Sequence, residues 1–312
     1  MSGSRGRRAG ARPHVAVVTD STASLTADQV VAHGVGVVPL DVVVDGERRS
    51  EGVDVGPEEL LAALARGARV TTSQPAPAAF AAAYERAVAA GATEIVSVHL
   101  AGGLSGTVQA ARLAAATVAV PVHVVDSGTA AMGLGFAVLA AARAAALPAA
   151  PEGLLARWRD RRQQPVPVTG CEVADVARTT AASAHVWFLV DSLDHLRRGG
   201  RLSAPAAALG TVLGLRPILT LRDGSVVVAE KVRTRRAARD RLEAIAVADL
   251  ARRPAARVAV HHLQQPELAA AVAEQIRTWG AQRVVETVTA DAGAVLAAHV
   301  GPGLLAVVVA DA

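Results

Sequence analysis

The sequence predicts an α/β fold of two domains: an N-terminal Rossmann-like parallel sheet with flanking helices, then a C-terminal α/β domain with a mixed sheet. Three observations support this. Strand–turn–helix units alternate through the first half, a proline-containing segment at 147–151 joins two helical stretches, and an Arg-Asp-Gly turn at 222–224 separates two strand-like runs. The alternation is typical of parallel strands with crossover helices, and the Asp-Gly turn is typical of an antiparallel hairpin. We expect domains at 14–150 and 151–312, with a ligand tunnel between or inside them.

The elements of the first half follow from local patterns. Val15 to Thr19 is a β-branched run without polar alternation, which suits a strand buried on both faces. Thr26 and Asp28 suit the first turn of the helix that follows, and Pro57 suits the first turn of another. The remaining expected elements are strands at 36–40, 94–98 and 122–125, an extended segment with an Asp-Gly turn at 42–46, helices at 57–65, 77–90, 107–118 and 130–146, and a polar extended connector at 70–75.

The second half mixes hairpin and crossover patterns, which is why its sheet is expected to be mixed. A short helix should follow the first strand of this half and precede a Gly-Gly turn at 199–200. The other expected elements are strands at 187–190, 217–221, 225–229, 257–261, 282–287 and 304–309, and helices at 204–213, 235–251, 266–278 and 292–298.

Composition excludes several classes of protein. Of the 312 residues, 52% are apolar and 19% charged, so the chain can bury a large core. Aromatic residues are only 2%, which disfavours stacking on single-stranded nucleic acid. The net charge of +4 is carried almost wholly by arginine and is dispersed, so a nucleic-acid partner is not expected. The single cysteine, Cys171, has no adjacent base, which favours an inert structural role in a reducing compartment.

No segment favours secretion or membrane insertion. The basic N-terminal stretch has no apolar region of the kind that signal peptides carry. The longest apolar stretch, 133–150, is mostly alanine and contains Arg143, so a buried helix is favoured over a membrane span. We expect a soluble, cytoplasmic protein without stable membrane insertion.

Small hydroxyl residues follow several predicted strands, at the edge where open parallel sheets bind ligands. Thr72 and Ser73 lie in one such turn, and Ser105, Gly106 and Thr107 open a helix in another, where backbone N–H groups could hold a carboxylate or phosphate. Helix capping uses the same residue types, so it is favoured for any one turn alone. If several of these turns meet at one edge of the sheet, a ligand site is favoured instead. The four turns are 20–22, 71–75, 104–107 and 126–129.

Two motifs of the second half could supply groups for an anion. Arg201 follows paired glycines that permit close approach of a ligand, and its planar guanidinium suits a carboxylate or phosphate. A glycine C-cap beside a solvated arginine fits the same spacing equally well. His299 enters a Gly-Pro-Gly turn and could donate to a ligand oxygen or act in acid–base chemistry, although alone it is better explained as a surface residue at a helix end.

Standard catalytic and cofactor motifs are poorly matched. The segment 103–106 does not fit the nucleophile elbow, 133–138 lacks the third glycine of a dinucleotide loop, and there is no P-loop. The His-His pair at 261–262 does not form a zinc pattern with the scattered carboxylates, and His99 is expected to be a satisfied structural histidine. No metal or cofactor is expected.

Taken together in chain order, these motifs resemble the DegV family of bacterial fatty-acid-binding proteins. The resemblance runs from about residue 15 to 309, and the order of the motifs is more specific than any one of them. The sequence departs from the family pattern at Val108, Ala131 and Val300, where an aromatic residue, serine and threonine are expected. The segments that carry the resemblance are 17–22, 38–40, 72–75, 104–107, 132–135, 199–203, 217–219 and 299–303.

The resemblance implies a carrier, not itself an enzyme, that encloses one long-chain fatty acid. It assigns the carboxylate to Thr72 and Ser105, with Arg201 and His299 near it, and Ser73, Gly106 and Thr107 complete the implied site. It also implies a partner, an ATP-dependent fatty acid kinase that converts the bound acid to an acyl phosphate within phospholipid metabolism. Arg201 would then help to dock or neutralise the phosphoryl group.

Two other functions stay open from the sequence. The first is an enzyme acting on a small phosphorylated or carboxylated substrate, with His299 as acid–base group and Arg201 as anion clamp. A compact polar pocket would favour it, and an elongated apolar one the carrier. The second is a regulatory or DNA-binding protein, suggested by the basic charge alone.

Overall fold

The computed structural model describes residues 14–146, 168–203 and 216–312. Thirteen strands and ten α-helices are defined within these ranges. The strands are β1 Val15–Asp20, β2 Gly36–Val38, β3 Asp41–Val44, β4 Glu47–Ser50, β5 Val70–Ser73, β6 Glu94–His99, β7 Val122–Asp126, β8 His185–Leu189, β9 Arg216–Arg222, β10 Ser225–Val232, β11 Ala256–His262, β12 Val284–Asp291 and β13 Leu305–Asp311. The helices are α1 Ala27–His33, α2 Pro57–Ala65, α3 Pro77–Ala89, α4 Thr107–Ala115, α5 Met132–Ala146, α6 Gly170–Ser183, α7 Asp194–Arg198, α8 Arg235–Leu250, α9 Pro266–Trp279 and α10 Ala294–Val300.

A four-stranded parallel sheet forms in the first half, in the order β2-β1-β6-β7. Its central strands are apolar runs whose side chains are buried on both faces, such as Ile95, Val96 and Val98 of β6. The Rossmann-like parallel sheet that the alternating pattern predicts is therefore confirmed.

A separate three-stranded antiparallel sheet, in the order β4-β3-β5, was not expected. The Asp-Gly pair between β3 and β4 makes a tight turn in which Asp45 and Gly46 both have positive φ, at 51° and 93°. Residues 70–73 form β5 because they pair with β3, Thr72 lying opposite Val42. The expectation of a connector there is corrected, since a polar sequence does not reveal a distant pairing partner.

The second half contains a six-stranded mixed sheet, in the order β10-β9-β8-β13-β11-β12. The β9–β10 hairpin turns at Asp223 and Gly224 and is antiparallel, as predicted. Only β11 and β12 pair in parallel, while β13 runs antiparallel to both β8 and β11. The α/β fold with one parallel and one mixed sheet is therefore confirmed.

Helices α5 and α6 pack against each other beside the parallel sheet. The largest hydrophobic cluster joins Val96 of that sheet, Leu139 of α5 and Ala177 of α6 to Val308 of the mixed sheet, so the core is continuous between the two sheets. Sequence reasoning missed α6, although Thr169 and Glu172 form a capping box at its start, a signal that was available.

Some expected boundaries differ from the structure. The helix expected at 292–298 begins at Ala294, because the Asp291 carboxylate accepts the Gly293 N–H and Gly293 has φ of +79°. His299 therefore lies in the last turn of α10. The helix expected at 204–213, the linker at 147–151 and the boundary at 150/151 lie outside the described residues. Among the helices that the structure describes, none combines the length and apolarity needed to cross a bilayer.

Candidate functional site

The loop between β6 and α4 brings Ser105, Gly106 and Thr107 to the carboxyl edge of the parallel sheet. The Leu104 and Ser105 N–H groups donate to the Ala101 carbonyl, at 2.9 and 3.2 Å, which forms a compact turn ahead of α4. A Cβ on Gly106 would overlap the side-chain amide of Gln74, so the absence of a side chain lets this loop approach the end of β5. The Ser105 and Thr107 hydroxyls are 2.8 Å apart.

Residues far apart in the chain meet at the end of β5. Thr72 Oγ1 lies 2.8 Å from His299 Nε2, which links the three-stranded sheet to α10. Burial lowers the pKa of His299 to about 4, and the nearby positive charge of Arg201 adds to this effect. The imidazole is therefore neutral at pH 7. The next hydroxyl on β5, Ser73 Oγ, is buried and has no hydrogen-bond partner among the residues that the structure describes.

Arg201 is fixed between the two halves of the molecule. Its Nε donates to the Leu104 carbonyl at 3.0 Å, and one terminal nitrogen donates to the Gly199 carbonyl. The next residue, Leu202, forms an isolated β-bridge with Val226 of β10. Within the described ranges, no carboxylate pairs with this guanidinium, so its charge remains available to an anion.

These groups lie at one end of a cavity of about 360 Å³, within the range of small-molecule sites. Among the described residues that form its wall there is no aspartate or glutamate, so the charged side chain of the wall is Arg201. The rest of the wall is largely aliphatic, which favours an apolar ligand that ends in an anion. The apolar lining comprises Leu40, Leu100, Leu104, Ala130, Ala131, Val186, Phe188, Leu196, Leu221, Val226, Ala292, Val295, Leu296, Val300, Leu304 and Ala306.

A second, polar cleft of about 450 Å³ adjoins the same cluster. It shares Thr72, Arg201 and His299 with the apolar cavity and is further lined by Arg69 and Arg198. We call it the basic cleft. The cluster of hydroxyl, imidazole and guanidinium groups therefore separates an aliphatic cavity from a basic one.

Of the seven expected site residues, the structure brings six together in the wall of the cavity. Thr72, Ser73, Ser105, Gly106, Arg201 and His299 line the cavity. The exception is Thr107, which is fully buried below Ser105 and reaches the site only through the Ser105 hydroxyl.

Two of the four hydroxyl turns do not contribute to the site. In the turn at 126–129, the Asp126 carboxylate accepts N–H groups from Gly102 and Gly128, which corresponds to loop capping. In the turn at 20–22, the Asp20 carboxylate accepts from Thr22 and from Leu100 N–H.

His99 is a satisfied core residue, as expected. Its ring is fully buried between Ser97 Oγ, at 2.6 Å, and Asp20 Oδ2, at 3.0 Å.

Sequence reasoning missed His261 and Gln74 in the cavity wall. The signal for His261 was its place directly after the apolar residues 258–260, although it was considered only as part of a zinc motif. Among the described residues, no cluster of histidine, cysteine and carboxylate side chains suits a metal ion.

Comparison with known proteins gives a consistent picture. The sequence model of the family described as "Uncharacterised protein, DegV family" matches residues 14–165 and 170–312. A DegV domain-containing protein of Streptomyces coelicolor is 42% identical over 96% of this chain and 99% of its own length. A DegV domain-containing protein of Mycobacterium bovis is 38% identical over 95% of this chain and 96% of its own length.

Solved structures share the fold over nearly the whole chain. A structure described as the fatty acid binding of a DegV family protein from Thermus thermophilus is 33% identical, with a TM-score of 0.82, and covers 96% of this chain and 100% of its own. DegV of Bacillus subtilis, described as a fatty acid binding protein, is 28% identical, with a TM-score of 0.81 and the same coverage.

Proposed function

Because the chain belongs to the DegV family, we propose that it binds a long-chain fatty acid and presents the carboxylate to an ATP-dependent fatty acid kinase. The observation that carries the proposal is the largely aliphatic cavity whose wall also contains Thr72, Ser105, Arg201 and His299. A largely aliphatic site favours a carrier over an enzyme for a small polar substrate. The same proposal places the protein in the cytoplasm, where the kinase would find its ATP.

Burial of the acyl chain would supply most of the affinity. Each methylene contributes roughly 0.8 kcal/mol, so about fourteen methylenes contribute on the order of 11 kcal/mol before losses. Part of this favourable free energy is lost because binding orders the flexible acyl chain and restricts its motion. The aliphatic wall from Leu40 to Ala306 provides the necessary apolar surface.

The carboxylate would be stabilised by hydrogen bonds and by one positive charge. A buried carboxylate is costly without donors. The hydroxyls of Thr72 and Ser105 can donate to its two oxygens, and Arg201 balances its charge. His299 is neutral and can donate from Nε2 to Thr72 Oγ1, which leaves the Thr72 hydroxyl proton for the ligand.

The basic cleft supports the kinase part of the proposal. It meets the carboxylate site from the side opposite to the acyl chain, so a kinase could reach the carboxylate while the chain stays buried. In the transfer, a carboxylate oxygen attacks the γ-phosphorus of ATP and ADP leaves, which gives the acyl phosphate. Arg69, Arg198 and Arg201 would surround the added phosphoryl charge. The nucleotide and its metal belong to the kinase.

The proposal predicts that protein purified from a bacterial host carries a fatty acid. Native mass spectrometry should show a mass increment of one acyl chain per protein, which is lost after delipidation and restored by added palmitate or oleate. The measurement reads ligand and stoichiometry together. A protein with neither a copurified acyl chain nor uptake of either acid would contradict the proposal.

Loss of one hydroxyl donor should weaken binding without loss of the fold. We expect Thr72→Val and Ser105→Ala each to reduce palmitate affinity about tenfold to a hundredfold, since a hydrogen bond to a charged group contributes about 1.5–3 kcal/mol and the partner oxygen stays buried. Titration of delipidated protein with a fluorescent fatty acid would measure the effect. Thr117→Val is the matched control, because among the described residues that hydroxyl donates to the Ala114 carbonyl at the end of α4 and to no other group. Unchanged affinity in both site variants would remove these residues from the site.

A further inference from the structure

We call the aliphatic cavity that is proposed to hold the acyl chain the acyl cavity. Its wall contains a polar side chain that takes no part in binding the carboxylate. His261 lies in β11, is 1% exposed, and lines the cavity among aliphatic residues. A histidine in such a wall is costly unless its nitrogen atoms are hydrogen-bonded.

The hydrogen-bond network settles which nitrogen carries the proton. The Met132 N–H at the start of α5 donates to His261 Nε2 at 3.1 Å, so Nε2 is the acceptor. Burial lowers the pKa of His261 to about 4, and the ring is therefore neutral at pH 7. A neutral imidazole that accepts at Nε2 carries its proton at Nδ1.

This Nδ1–H donor is unsatisfied. Among the described residues, Nδ1 has no hydrogen-bond partner, although the atom is shielded from solvent. The backbone carbonyls of Ala290 and Asp291 lie close to the His261 ring and partly offset the fall in its pKa. Neither carbonyl accepts a hydrogen bond of ordinary geometry from Nδ1. A buried donor left unpaired is unfavourable, and a ligand oxygen would relieve that cost.

The sheet order places His261 four strands away from the strand that lies beside Arg201. Leu202, next to Arg201, bridges to Val226 of β10, whereas His261 lies on β11. Four strand spacings separate β10 from β11, which is about 19 Å across the sheet at about 4.8 Å per strand. His261 would therefore face the part of an acyl chain that is remote from its carboxylate.

We propose that His261 makes the cavity selective for fatty acids that carry an oxygen, as a hydroxyl or keto group, on the distal half of the chain. The inference rests on the proposed function and adds a class of ligand to it. A plain alkyl chain would leave Nδ1–H unpaired, whereas an oxygenated chain accepts from it. A site that hydrogen-bonds a ligand oxygen discriminates against the analogue that lacks it.

The test compares three ligands: stearate, a stearate hydroxylated on the distal half of the chain, and a stearate hydroxylated beside the carboxylate. Delipidated protein should bind the distally hydroxylated acid about fivefold to tenfold more tightly than stearate, the fold-change expected for one hydrogen bond. The isomer hydroxylated beside the carboxylate should gain nothing.

Substitutions of His261 should change this preference selectively. His261→Phe keeps an aromatic ring without the donor, so the preference should vanish and stearate should bind more tightly. His261→Gln restores an amide N–H and should keep part of the preference. His262→Phe is the matched control, since adjacent side chains on a strand face opposite sides and His262 does not line the cavity. Thermal unfolding of each variant, measured without ligand, identifies any variant that fails to fold.

Equal affinity for stearate and its distally hydroxylated form in the unsubstituted protein would overturn the inference, because a water molecule or the Ala290 carbonyl would then satisfy the donor. A preference that survives in His261→Phe would also overturn it. Absence of binding by all three acids would instead contradict the proposed function, so the two failures are distinguishable.

Discussion

Arg201→Gln is expected to weaken palmitate binding about a hundredfold, because a hydrogen bond to a charged group contributes about 1.5–3 kcal/mol and the buried carboxylate also loses the positive charge that balances it. The guanidinium is already held by the Leu104 and Gly199 carbonyls, so little ordering is needed when the ligand binds. Isothermal titration of delipidated protein would measure the loss.

The same variant has a second readout that is independent of ligand. The positive charge of Arg201 helps to lower the pKa of His299, after the larger effect of burial. Removing that charge should therefore raise the pKa of His299, which an NMR titration of the imidazole would detect. Its direction follows from charge repulsion, since a neighbouring cation disfavours the protonated ring.

Arg197→Gln provides the control for Arg201. Arg197 lies on α7, four residues before Arg201, but it is half exposed and paired with Asp194 at 2.6 Å. It lines neither the acyl cavity nor the basic cleft. We expect its replacement to leave both palmitate affinity and the pKa of His299 unchanged. Unchanged affinity in Arg201→Gln, with a raised pKa of His299, would mean that Arg201 faces the histidine without contacting the ligand.

Asp20→Ala should cause the largest loss of stability, about 3–5 kcal/mol in the free energy of unfolding, as expected when one partner of a buried polar pair is removed. The Asp20 carboxylate is fully buried and accepts hydrogen bonds from Thr22, His99 and Leu100. Removing it would leave these donors unpaired in the core.

The chain of hydrogen bonds continues beyond Asp20. Tyr84 donates to Ser97 at 2.8 Å, and Ser97 lies 2.6 Å from His99 Nε2. One direction of donation satisfies every member: Tyr84 to Ser97, Ser97 to His99, and His99 Nδ1–H to Asp20. The arrangement resembles a Ser-His-Asp triad, but all three side chains are inaccessible, so it stabilises the strand ends and is not an active site.

Urea denaturation would measure the effect of Asp20→Ala. Asp28→Ala, an exposed substitution in the first turn of α1, should change the free energy of unfolding by less than about 0.5 kcal/mol. If Asp20→Ala does not fold, Thr22→Val removes a single donor to Oδ1 and should cost about 1 kcal/mol. A loss no larger than that of Asp28→Ala would show that the network contributes little to stability.

Local patterns in the sequence determined the fold class and most of the secondary structure. Buried β-branched runs predicted the parallel sheet, and the Asp-Gly turn at 223–224 predicted the β9–β10 hairpin, because these signals act over a few residues. The order of short motifs also indicated the family, and it pointed to Thr72, Ser105, Arg201 and His299 before any of them could be placed in space.

Only the tertiary structure decided how those residues meet. Thr72 and His299 are 227 positions apart, and no local signal pairs them. The same holds for β5, which is a strand because β3 lies beside it, and for His261, whose unpaired nitrogen becomes visible once Met132 is seen to occupy the other. Side-chain contacts between distant segments depend on how the sheets pack, and periodicity and turn chemistry carry no information about that packing.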